Sequence, residues 1–470
     1  MTNRIDVNYL AHVRPSARQL AWQKMEMYAF LHFGMNTFTN REWGLGHEDP
    51  HLFRLENLDV EEWMQALCAA GMTGVILTCK HHDGFCLWPS HVTEHSIAST
   101  DYQHGNGDIV KEVSEAARKY GLKFGVYLSP WDRTESSYGT GKEYDDYYVA
   151  QLTELLTGYG EIFCVWLDGA NGEGANGKTQ FYDWPRYYNV IRSLQPNAVI
   201  SVCGPDVRWA GNEAGHVRKN EWSVVPVQLR SAELTAEKSQ HEDDGTFATQ
   251  VRSQEEDLGS AEALEPFGDQ VCWYPAEVDT SIRPGWFYHS SEDGAVKSAE
   301  SLFDLWKQAV GGNCTLLLNI PPMPDGHLAQ PDRLALQGLG QKIRDFNSKL
   351  ITDVSYSASS GSPQGLGSGQ NVWRAQGAHE GAWVRMSFEK PQRISSVVLE
   401  ENIEQGQRIE QCEVSITQPD GATAIVGQCG CVGYRRIIEF PACTALSVTL
   451  RILHSRANPE LTRFQAGSAE

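Results

Sequence analysis

With 470 residues, 41% hydrophobic and 10% aromatic, the chain is long enough for two or three domains with buried cores. A net charge of −21 argues against nucleic acid or an anionic membrane as the main partner. No run of 18 apolar residues is present to insert into a bilayer.

Fourteen tryptophans are many, and flat rings that pack cores also stack on the apolar faces of sugars, so a neutral carbohydrate is a candidate ligand. Met1 to Ala21 is polar and lacks the apolar stretch of a secretory signal. Of eleven cysteines, Cys79, Cys164, Cys203 and Cys314 fall in or beside strand-like apolar runs and read as buried thiols. Together these predict a cytoplasmic protein; a periplasmic or secreted one trimmed of its leader reads the same way.

In chain order, Tyr28 to Gly34 is the first strand candidate. Asp59 caps a helix whose apolar residues Val60, Trp63, Met64 and Leu67 recur at helical spacing, and Gly71 stops it. Gly74 to Cys79 is a buried strand running into Lys80-His81-His82-Asp83-Gly84. Asp108 opens the next helix, and Lys123 to Leu128 is the third strand. A helix over Glu143 to Leu156 precedes the fourth strand, Ile162 to Leu167, which ends at Asp168-Gly169. A helix over Trp184 to Leu194 leads to the fifth strand, Ala198 to Cys203.

Strand ends recur about every 35–50 residues with a helix between, the pattern of parallel βαβ units. Right-handed crossovers repeated this often predict a (β/α)8 barrel, and no glycine-rich phosphate loop favours an open doubly wound sheet. Ser231 to Asp269 is acidic, lacks a strand pattern and reads as a long mobile insertion. Order returns at Val271 to Tyr274 and Gly285 to His289, followed by a helix over Ser298 to Val310 and a last barrel strand over Cys314 to Ile320. A helix from about Pro331 to Leu350 closes the barrel domain, residues 1–350. From residue 351 to 470, short alternating runs such as Ile394 to Leu399 and Leu446 to Ile452 predict an all-β sandwich or jelly roll.

Parallel barrels carry their chemistry at the C-terminal ends of their strands. That end holds His32, His81, His82, Tyr127, Trp166 and Asp168, and then the segment after Cys203. His81 and His82 are adjacent, so on a strand they point to opposite faces and are badly placed to share a metal ion. Pro50 argues against a helical ligand pair at His47 and His51. No metal or other cofactor is therefore expected; a metal-dependent barrel hydrolase is the alternative. Glycoside hydrolysis needs only a pair of carboxylates. Asp168 is one, and Glu213, in the glycine-flanked loop Gly211 to Gly215, is the candidate partner, with Glu221 and Glu277 as rivals.

Together these segments resemble glycoside hydrolase family 29, the α-L-fucosidases, over most of residues 20–330. His32-Phe33-Gly34 is similar to the family's His-Trp-Gly, with Phe for Trp. Lys80 to Phe85 carries the Lys-His-His-Asp-Gly-Phe motif in full, with Trp88-Pro89-Ser90 after it. Val165 to Gly169 resembles the nucleophile strand, and Gly312-Asn313, Leu316 to Ile320 and Asp325-Gly326 the closing strand.

The resemblance implies Asp168 as nucleophile and His32, His81, His82, Tyr127 and Trp166 as a fucose pocket. Gly204-Pro205-Asp206, Trp209, Gly211-Asn212-Glu213 and Glu221-Trp222-Ser223 look like the subgroup selective for α-1,3 and α-1,4 linkages, which implies Glu213 as acid/base. It also implies Trp286 against the sugar, Arg283 at the mouth and a fucosylated oligosaccharide or glycoconjugate as substrate; a broad-specificity fucosidase is the other branch. Glu400 to Ile403 with Gly406 to Ile409 resembles a galactose-binding-like sandwich, expected to brace the barrel.

Overall fold

The computed structural model describes residues 7–238, 257–367, 369, 371–377 and 380–469. Eight strands build the first unit: β1 (Met27–Leu31), β2 (Gly74–Lys80), β3 (Lys123–Leu128), β4 (Cys164–Leu167), β5 (Val199–Val202), β6 (Arg208–Trp209), β7 (Ala276–Ser281) and β8 (Thr315–Asn319). All pair in parallel in the order β5-β4-β3-β2-β1-β8-β7-β6. A parallel bridge from Ser201 to Val207 brings the two edges together, so the ring is a nearly closed barrel.

The predicted strands β1 to β5 and β8 form because continuous apolar runs are buried on both faces. The helices between them start at side-chain caps: Asp59 accepts from Glu62 N, Asp108 from Lys111 N and Ser298 from Ser301 N. Gly71, at φ +85, ends the first of these as an αL cap.

Two barrel strands lie outside the predicted set. β7 carries Glu277 and Asp279, and β6 is only two residues long. Val271–Trp273, expected to resume the ordered core, pairs instead with Val224–Pro226 as a separate two-stranded antiparallel sheet. Gly285 to His289 is an irregular loop rather than a strand. Of the segment expected to be a long insertion, Ala232–Lys238 and Ala261–Leu264 are helical, and residues 239–256 lie outside the described set.

Helix Gln330–Ser348 packs on the barrel's outside, and an antiparallel β domain follows. Its long strands, Trp383–Glu401 and Arg436–Ser455, bury alternate residues and change register at bulges. Asn313, in the left-handed region at φ +70, ties the two units together. Its Nδ2 donates to Glu221 O at 2.8 Å and its Oδ1 accepts from Tyr434 N at 2.7 Å. Ser223 N donates to Gln407 Oε1 at 2.9 Å, and Arg435 pairs with Glu26 and Glu400.

Candidate active site

A pocket opens at the C-terminal end of the barrel strands, enclosing about 660 Å3 with its open mouth. It gathers His32, His81, His82, Tyr127, Trp166, Asp168, Glu213 and Trp286. Phe30 at the end of β1 forms part of its wall, with ring centroids 4.4 Å from His32 and 5.2 Å from Trp166.

Each element delivers its group for a local reason. β2 ends at Lys80, so His81 and His82 sit beyond the strand in a turn, where the alternation of side chains no longer applies. Both rings therefore line the pocket, with centroids 4.1 Å apart, contrary to the opposite-face expectation. The flanking motif residues hold the turn. Lys80 Nζ pairs with Asp132 at 2.8 Å, Asp83 accepts from Phe85 N at 2.8 Å, and a Cβ at Gly84 (φ +79) would come within 2.5 Å of Asp132 Oδ1.

The hydrogen bonds fix what each histidine offers a ligand. Asn319 Nδ2 donates to Ser281 and Trp286 O, so its Oδ1 accepts from His32 Nδ1 at 2.8 Å. Ser129 gives its proton to Trp131 O and accepts from His82 Nδ1 at 2.7 Å. His81 Nδ1 instead accepts from Asn36 Nδ2 at 3.3 Å. Burial lowers His32 to about 3 and His82 to about 4, and His81 well below its ordinary value. All three are neutral near pH 7. His32 and His82 turn an accepting Nε2 away from these partners, and His81 a donating one, a mixed set suited to hydroxyl groups.

Asp168 Oδ2 accepts from Tyr127 OH at 2.8 Å and stands 4.0 Å from His82 Nε2; Oδ1 accepts from Ala170 N at 2.7 Å. Glu213 comes from the loop after β6, and its Oε2 accepts from Trp286 Nε1 at 3.3 Å. Burial raises Glu213 well above the usual carboxyl range, and the charges of Asp279 and Asp168 add to that. One carboxylate is thus tied to donors, while the other is held in its acid form.

The rival carboxylates lie elsewhere. Glu277 is fully buried one layer down, accepting from Tyr28 OH, Trp166 Nε1 and Ser201 Oγ, and it orients the Trp166 indole. Burial pushes Glu221 up, but ion pairs to Arg208 and Arg218, both at 2.8 Å, bring it below the usual range. Arg283, expected at the mouth, is buried in ion pairs to Asp332 and Asp293, both at 2.9 Å, and does not line the pocket. Among the described residues, no three His, Cys, Asp or Glu side chains converge as a metal-ligand set.

The sequence reading passes over Glu42, Trp43 and Asp279, which line the pocket, and takes Trp209 only as part of the subgroup resemblance. Glu42 accepts from Trp286 N, Phe287 N and His289 Nε2, and so positions the Trp286 loop. The repeat Glu277-x-Asp279 was the available signal for Asp279, since period two puts both on one strand face. Val202, at φ +64, is a β-branched residue in strained backbone at the pocket wall.

The Alpha-L-fucosidase family model matches residues 13–347, and a domain of unknown function matches 350–461. Alpha-L-fucosidase 1 of Arabidopsis thaliana is 39% identical over 440 residues, 91% of this chain and 81% of its own. A putative alpha-L-fucosidase from Bacteroides ovatus superposes with a TM-score of 0.86 at 43% identity, covering 99% of this chain and 75% of its own. A Ruminococcus gnavus GH29 fucosidase solved in complex with fucose gives 0.83 at 27% identity, covering 98% and 95%.

Proposed function

The chain belongs to the alpha-L-fucosidase family, and from that premise we propose that it removes α-1,3- or α-1,4-linked fucose from branched glycans by a retaining double displacement. The observation that supports this reading is the presence in one pocket of Asp168, which accepts hydrogen bonds from Tyr127 and Ala170, and Glu213, whose buried carboxyl is pushed well above its usual range.

In the first step the Asp168 carboxylate attacks the anomeric carbon, and Glu213 gives its proton to the departing glycosidic oxygen. In the second, Glu213 as carboxylate takes a proton from water, and that water releases the fucosyl ester from Asp168. His32, His81 and His82 hold the sugar hydroxyls, and the aromatic wall of Phe30, Trp166 and Trp286 receives the C5 methyl. Fucose is uncharged, so the protein's negative field does not oppose its entry.

The test compares a branched fucosylated trisaccharide with a simple aryl α-fucoside, following the anomer first released by NMR. The reading expects preference for the branched substrate and release of α-fucose. Preference for the aryl substrate moves the enzyme to the broad-specificity branch, and release of β-fucose overturns the retaining mechanism.

A further inference from the structure

Asp279 is a third carboxyl in the pocket, and the double displacement assigns it no part. It is 2% exposed on β7, and the acid/base loop is stitched to that strand by an antiparallel bridge between Ala214 and Thr280. Glu213 and Asp279 each lie one residue from that bridge, diagonally across it on the same face, and both line the pocket. Around them stand Asp168 from β4 and Glu42 from the segment after β1, with Glu277 two residues back on the same face of β7. The pocket's three histidines are neutral, and no lysine or arginine is among the described residues that line it. Two neighbouring carboxyls in such a place cannot both ionise near neutrality.

The donors are unequal. Trp209 Nε1 reaches Asp279 Oδ1 at 2.8 Å, whereas Trp286 Nε1 reaches Glu213 Oε2 only at 3.3 Å. We propose that Asp279 is a positioning residue that keeps the proton on Glu213: the pair shares one proton, and the Trp209 indole fixes the negative charge on Asp279. The titration tendencies agree in direction. Burial lifts both carboxyls, the Trp209 bond restrains Asp279 at about 7, and Glu213 lies well above its usual range. When Glu213 has given up its proton to the leaving group, the same repulsion favours its taking one back from water.

This rests on Glu213 being the acid/base. The experiment is the pH profile of kcat/KM on a branched fucosylated trisaccharide, with folding of each variant checked by thermal melting. Asp279→Asn keeps an acceptor for Trp209 and removes the charge, so the alkaline limb moves down by about 1 pH unit or more. Trp209→Phe destabilises the charge on Asp279, so the limb moves up while the plateau rate falls. A uniform drop at all pH values in Asp279→Asn, with the limb in place, overturns the proposal. So does a Trp209→Phe limb that stays where it was, which serves if Asp279→Asn fails to fold. Glu213→Ala separates the two readings. If it leaves the trisaccharide rate intact, the acid/base assignment itself has failed; if it abolishes that rate while neither limb moves, only the role of Asp279 has.

Discussion

The phenol of Tyr127 donates to the carboxylate of Asp168 at 2.8 Å, across the neighbouring strands β3 and β4. Val126 to Val165 and Tyr127 to Trp166 are in register, so the contact is set by strand pairing rather than by a loop. A hydrogen bond to a charged group contributes about 1.5–3 kcal/mol. Tyr127→Phe is expected to lower kcat/KM by roughly 10- to 100-fold with folding intact, because it removes the donor and keeps the ring. Steady-state kinetics beside a melting curve check this; full activity would show that the bond does not position the nucleophile.

Asp168→Gly should reduce turnover by on the order of 10^4-fold. It leaves a space beside His82 that azide can enter, and the expected rescue product is β-fucosyl azide, identified by NMR. A variant that hydrolyses substrate at the native rate would remove Asp168 from the nucleophile's role.

Glu213 and Glu221 lie eight residues apart in sequence and are expected to fail in different ways. Glu213→Ala should slow substrates with poor leaving groups much more than activated aryl fucosides, since only the former need the proton. Glu221→Gln removes the charge that pairs with the buried Arg208, at a cost of about 3–5 kcal/mol in stability. Leaving-group series and urea unfolding distinguish these patterns, and their exchange would transfer the acid/base role to Glu221.

His32 and His82 are held at about 3 and about 4, below the ordinary 6.5. The folded protein therefore binds fewer protons there than the unfolded chain. Their effect on stability is absent above pH 6.5 and becomes a loss as pH falls through 6.5 toward 4 and 3, at about 1.4 kcal/mol per pH unit for each. Buried carboxyls with raised values slope the other way, so the difference between wild type and His82→Gln isolates the histidine. Urea melts from pH 7 to 4.5 should show a shallower acid-side decline in the variant; identical slopes would contradict a neutral buried His82.

The sequence was most informative where burial makes it monotonous. Runs such as Val75-Ile76-Leu77 and Cys164-Val165-Trp166-Leu167 are buried on both faces, so their strands and the residues just past them could be placed. β7 could not, because Glu277, Asp279 and Thr280 look like loop. Their polarity is tolerated because Tyr28, Trp166, Ser201 and Trp209 supply the donors, and those lie 70 or more residues away along the chain. The placement of Arg283 was hidden similarly: its partners, Asp293 and Asp332, come from a later loop and the last barrel-domain helix. His81 and His82 show a different limit, since the motif could be read but the point where the strand ends could not.

Asn313 has a consequence for how this protein can be taken apart. It joins the β domain to Glu221 and Ser223, eight and ten residues beyond Glu213 on the same chain segment. The far domain therefore acts as a buttress for the rear of the Glu213 loop, and a cut near residue 350 is not a neutral excision. A hybrid that exchanges the β domain for a relative's must reproduce the seats of Gln407 and Tyr434 against the barrel, or it inherits a loose loop along with its new module.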